Sequence, residues 1–122
     1  MYRSVRTSHI ILTFGLAAVF LWFGIDKFID PNYWITAWVP QWILKFLSIV
    51  KVQPTEFIFL NGAFEILIGI SLISAILSRF FAFLGALFIL AVIVSVGLNE
   101  VTVRDIGLLG GLLAIASWPT KL

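Results

Sequence analysis

Apolar residues in this chain are gathered into long blocks. One runs from Ile10 to Ile25, and another fills most of Phe57 to Leu98. Runs of this length are the pattern of membrane-spanning helices. At ~1.5 Å per residue the second block would make a rod of ~63 Å, about twice the hydrocarbon thickness. It must therefore fold back on itself, and Ser78-Arg79 in "AILSRFF" is the expected turn. Four spans result, over about residues 8–29, 55–77, 79–98 and 103–118, the last of them short. Four spans put both chain ends on one side.

The long connection, Asp30 to Pro54, carries Trp34, Trp38 and Trp42 four residues apart. On a helix this spacing puts three indoles on one face. Such a stripe suits an amphipathic segment lying among lipid headgroups, where Trp is enriched. Its second reading is an aromatic lid over a ligand cavity, and the two are compatible. Pro40 predicts a break partway. The expected fold is an all-α membrane protein: a single domain over residues 1–122, with four transmembrane helices in a bundle. A Trp-rich interfacial amphipathic segment, about residues 33–50, joins the first and second helices.

Composition agrees and removes several chemistries. Of 122 residues, 61% are hydrophobic and 11% charged, with a mean hydropathy of +1.13. A soluble domain of this length needs more polar surface. Without cysteine there is no disulfide, thiolate metal site, iron–sulfur ligation or CxxC redox chemistry. The single His9 cannot by itself form a bis-histidine haem site, and no metal site is expected. A net charge of +2 is too small and too dispersed for nucleic acid. Arg3 and Arg6 before an apolar stretch imitate a signal peptide. That stretch gives way to "DKFIDP" rather than to a small-residue cleavage site, so a retained span is expected.

Placing the chain ends inside collects Arg3, Arg6, Arg79 and Lys121 there without an acidic residue. Lys27, Lys45, Lys51 and Arg104 then lie outside, with Asp26, Asp30, Glu56, Glu100 and Asp105. Bases alone tie. Lys27 and Arg104, beside acids at span ends, are candidates for being drawn into the bundle, which favours cytoplasmic termini in the cell membrane.

Glu65 is the chemical oddity. On a helix starting near Thr55 it lies ~15 Å along the axis, well below the surface. A central acidic residue costs about 2.5–3.5 kcal/mol to insert, so it must face the bundle interior and find a partner or a proton. Asn61, Gly62 and Gly69 share its face, the glycines permitting close helix approach, while Phe57 and Phe64 should point elsewhere. Lys27 and Arg104 are the candidate cations, Arg104 being aligned with Gly111 and nearly with Gly107. The expected site is a cluster of Asp26, Lys27, Asn61, Glu65, Arg104 and Asp105 at the outer mouth. Plainer roles remain open: Asp26 and Lys27 as snorkelling interface residues, Asp105 as the end of a Thr102–Asp105 capping box, Glu65 as half of a structural ion pair. Arg6 and Arg79 read as topology determinants and His9 as interfacial.

Arg6 before the first span, "FGIDKF" closing it, "GAFEILIGISLI" turning into "RFFAFLGALF", and "VRDIGLLGGLLAIA" opening the last span occur in an order that resembles the DoxX family of small four-helix membrane proteins. The resemblance covers the four spans and leaves out about Tyr33 to Ser48. That family is similar to the small membrane subunit of thiosulfate:quinone oxidoreductase, and its members are often partners of other redox proteins. The resemblance implies Lys27, Glu65, Arg104 and Asp105 as the matching polar positions and a quinone or similar small molecule as ligand. A more distant likeness to vitamin K epoxide reductase cannot carry thiol chemistry to a chain without cysteine.

Two functions are expected from these features. One is a DoxX-like subunit of a redox or respiratory-type membrane complex. Its polar cluster would bind a quinone non-covalently, with partner subunits carrying the electrons and no catalysis by this chain alone. The other is a non-catalytic structural or assembly subunit whose buried ion pair only holds the helices together. Four short spans without paired broken helices argue against a transporter.

Overall fold

The computed structural model describes residues 2–118, with side chains from Ser4 onward. Of the bases expected at the cytoplasmic side, Lys121 and the Arg3 side chain lie outside the described residues. The chain forms six helices, α1 (Tyr2–Ile29), α2 (Pro31–Trp38), α3 (Gln41–Ile49), α4 (Pro54–Ser74), α5 (Ser78–Val96) and α6 (Glu100–Ala116). No strand occurs among the described residues. Ser4–Ile29, α4 and α5 are each long and apolar enough to cross a membrane. Their outward faces stay apolar, with Trp22 72%, Ile29 74% and Val94 76% exposed. An exterior of this kind marks a membrane protein. At 17 residues, α6 is shorter.

Prolines divide the connection between α1 and α4. The residue before a proline is pushed out of helical geometry, and Asp30, at φ −136° and ψ 67°, ends α1 there. Pro31 then opens α2, a position where its missing N–H costs nothing, and the Asp30 carboxylate accepts from Tyr33 N. Val39 before Pro40 is likewise extended, so the helix stops at Trp38 and restarts at Gln41. The three tryptophans therefore do not form one stripe. Trp34 and Trp38 remain neighbours, with ring centroids 6.4 Å apart, whereas Trp42 belongs to α3 and is 60% exposed.

Two further boundaries differ from expectation. The α4–α5 turn occupies Ala75 to Leu77, with left-handed backbone at Ala75 and Leu77, and Ser78 already opens α5. Serines on the last turn of α4 hold it: Ser71 Oγ donates to Ile76 O, and Ile76 N donates to Ser74 Oγ. At the other end, Gly97 leaves α5 with φ 88°, which only glycine adopts without strain. Asn99 then caps α6. Its Oδ1 accepts from Thr102 N at 3.0 Å, and Thr102 Oγ1 accepts from Asn99 N at 2.7 Å. The capping box thus lies one turn before Thr102–Asp105, and Asp105 is left inside the helix with no capping duty.

Four helices share one core. Leu16, Ala17 and Phe20 of α1 meet Ile68 and Leu72 of α4, Ala82, Ala86 and Ile89 of α5, and Leu112 and Ile115 of α6. α1 packs along α4, α5 along α6, and α4 joins the two pairs. The start of α1, the α4–α5 turn and the end of α6 gather at one end. There Arg79 Nε donates to Ala116 O at 3.3 Å, and the His9 ring lies 4.7 Å from that of Trp118.

The α1–α4 contact is the tightest. A Cβ added at Gly24 would lie 2.9 Å from Gly62 O, and one at Gly62 would lie 2.8 Å from Gly24 O. Two turns farther along α4, a Cβ at Gly69 would strike Leu21. By contrast Gly107 has open space around it, so only Gly111 of the GxxxG pair touches another helix, through Leu12 and Leu16 of α1. Gly62→Ala is therefore expected to cost about 1–3 kcal/mol by forcing two backbones apart, while Gly107→Ala should be neutral or slightly stabilising. Unfolding of the two variants in detergent micelles checks this; equal stability would contradict the packing described.

Candidate functional site

Side chains on a helix lean toward that helix's own N-terminus. Because α1 and α4 run antiparallel, Lys27 leans inward from the last turn of α1 while Glu65 leans back toward the same level from the middle of α4. The two meet as a buried ion pair, Lys27 Nζ donating to Glu65 Oε1. Their residues are 7% and 3% exposed, so Lys27 does not snorkel to water. Gly24 precedes Lys27 by three residues and Gly62 precedes Glu65 by three. The glycine crossing thus lies between the paired residues, ~4.5 Å along the axis from each. Gly62 faces the Lys27 stem, which an added Cβ would approach to 3.2 Å.

An aromatic shell surrounds the ammonium. Its nitrogen lies 5.0 Å from the centroid of the Trp34 ring and 5.4 Å from that of Phe88. Contacts of this kind contribute from about 0.5–1 kcal/mol when exposed to about 2 kcal/mol when desolvated. Trp34 is held in place by Asp26, whose Oδ2 accepts the indole N–H at 2.9 Å. Phe23 meets the same indole edge-on at 5.5 Å. Asp26 therefore acts on the site through Trp34 rather than by facing the interior.

The ion pair opens into a cavity of about 300 Å³. Its walls come from all four core helices and from α2, the Val39-Pro40 link and Ile43 of α3. The polar lining consists of Lys27, Asn61, Glu65, Ser95 and Asp105; Trp34, Trp38, Phe20, Phe23, Phe57 and Phe88 supply the rings. Asn61 turns its Nδ2 back to Phe57 O at 2.9 Å. Of the expected cluster, the cavity brings together Lys27, Asn61, Glu65 and Asp105.

Arg104 is not among them. It is exposed and stands about 100° round the helix from Asp105. The inward face of α6 at this level is Val101, Asp105 and Leu108. Alignment with Gly111 misled because α6 meets α1 at Gly111, two turns farther on, and the cavity separates the two helices near Arg104. Trp42 is also outside the lining. Phe57, expected to point away, lines the cavity, and Phe64 packs edge-to-face on Phe88 at 5.6 Å. Sequence reasoning missed Gly24, Phe88 and Ser95. For Gly24 a signal existed: it stands in the same relation to Lys27 as Gly62 to Glu65.

Chemically, the arrangement offers one ammonium with N–H groups to spare beyond its bond to Glu65, carboxylate oxygens on two helices, and flat apolar walls. It suits a largely apolar molecule carrying a few hydrogen-bonding groups. Among the described residues no group of His, Asp and Glu converges in metal-binding geometry. The pair's contribution is separable by a mutant cycle. Glu65→Gln or Lys27→Met alone is expected to cost about 3–5 kcal/mol by stranding a buried charge, and the double variant much less than the sum. Unfolding titrations in micelles read this out; additive losses would mean that the groups do not interact.

Compared with known proteins, the chain matches no family model, no curated protein and no solved structure.

Proposed function

We propose that this chain is a DoxX-like integral membrane subunit of a redox or respiratory-type complex, and that its cavity binds a quinone-type ring beside Lys27 and Glu65. One observation carries the reading: a buried Lys–Glu pair forms part of the wall of a cavity of about 300 Å³ lined by six aromatic side chains. Pockets that hold small organic ligands have this character, mostly apolar with a few placed polar groups, and volumes from roughly 300 Å³ upward. A ring oxygen would meet Lys27 Nζ or the carboxylates, the ring would lie against Trp34 and Phe88, and an apolar tail would leave between helices into lipid. Electrons would come from or go to a partner subunit, and this chain would not act as a catalyst alone.

In this reading α6 is the fourth span. Its 17 residues extend ~26 Å, close to the hydrocarbon thickness of ~30 Å, and its packing along α5 supports the assignment. Both chain ends would then face the cytoplasm. α2 and α3 would lie in the outer headgroup layer, Trp42 as an anchor and Trp34 with Trp38 as the lid.

The Gly24–Gly62 crossing favours a second reading, in which the pair merely locks α1 to α4 in a structural or assembly subunit. The two differ in what Glu65→Gln does to ligand binding. A quinone-stripped sample in lipid nanodiscs is expected to bind an added naphthoquinone, and Trp34→Ala, which leaves the ion pair intact, should weaken binding about tenfold through lost stacking. Saturable binding that Glu65→Gln abolishes supports the ligand site. Absence of binding by a folded wild-type protein leaves the structural role.

A further inference from the structure

The ionisable groups lining the cavity do not balance. Lys27 and Glu65 neutralise each other. Asp105, on α6, adds a second carboxylate, and its chain neighbour Arg104 is turned to the outside. Among the described residues Lys27–Glu65 is the one ion pair, so Asp105 has no cation bound to it. Neither does it serve the helix end, since Asn99 and Thr102 cap α6 without it. The cavity therefore contains a carboxylate not engaged by another side chain, on the wall formed by α6.

An ionised carboxylate accepts hydrogen bonds and donates none. A carbonyl oxygen on the ligand also only accepts, so against Asp105 in its ionised form it would set lone pair to lone pair. A hydroxyl would donate to it, forming a bond with a charged acceptor. Ser95 donates or accepts as needed and does not discriminate. We propose that the cavity favours the two-electron-reduced, hydroxyl-bearing form of its ring ligand over the oxidised carbonyl form, with Asp105 as the discriminating side chain. This rests on the reading that the cavity binds a quinone-type ring.

The test is equilibrium binding of menadione and of its hydroquinone, menadiol, to the full chain in lipid nanodiscs, kept anaerobic, with empty nanodiscs as blank. Menadiol is expected to bind about tenfold more tightly, the worth of one hydrogen bond to a charged acceptor, and Asp105→Asn to bring the two within about twofold. Equal or tighter binding of menadione to the wild type overturns the proposal while leaving the ring site standing, and so does an unchanged ratio in Asp105→Asn. Binding of neither form overturns the ring site itself. If Asp105→Asn does not fold, the wild-type ratio decides.

Discussion

A carboxylate buried in the middle of an apolar helix must be neutralised, and the organisation of this protein follows from how Glu65 meets that requirement. The neutralising charge is Lys27, from an antiparallel neighbour. Lysine and glutamate side chains both lean toward their helix N-termini, so residues well apart along the axis close the gap. The closure demands that α1 and α4 lie nearly backbone to backbone, which Gly24 and Gly62 allow. A buried pair of this kind is weak evidence for stability by itself, since desolvation offsets much of the attraction. What it does fix is register: sliding α1 against α4 by one turn would strand both charges.

The remaining features arrange themselves around that fixed pair. Pro31 turns the chain as soon as α1 ends, which brings Trp34 back over Lys27, and Asp26 holds the indole there. Pro40 ends α2 before Trp42 can join the same face. On the far wall, Gly97 and Asn99 set the start of α6 so that Asp105 falls on its inward side. The cavity is the space left where the α1–α4 and α5–α6 pairs separate, and its polar groups come from both pairs.

Much of this was legible in the residues. Apolar blocks located the long helices, and the inward face of α4, with Asn61, Glu65 and Gly62, follows from helical spacing alone. That Glu65 needs a cation from another helix follows from the cost of its burial. Which cation was not legible. Lys27 and Arg104 both stand near helix ends, and choosing between them requires the crossing point of each helix pair, a tertiary quantity. The same holds for Phe57 and Phe88, whose direction depends on where the helices part. Local competition decided the boundaries: Asn99 outcompeted Thr102 as a cap because Gly97, at positive φ, ends α5 just before it, and Ser71 with Ser74 stabilised a turn three residues ahead of the polar pair Ser78-Arg79.

The most direct test of the account is a high-resolution map of the protein taken from native membrane, inspected beside Glu65. The account predicts the Glu65 carboxylate against the Lys27 ammonium, with ring-shaped non-protein density between Trp34 and Phe88. A Glu65 side chain facing lipid tails, or a cavity collapsed with its aromatic walls in contact, would contradict it.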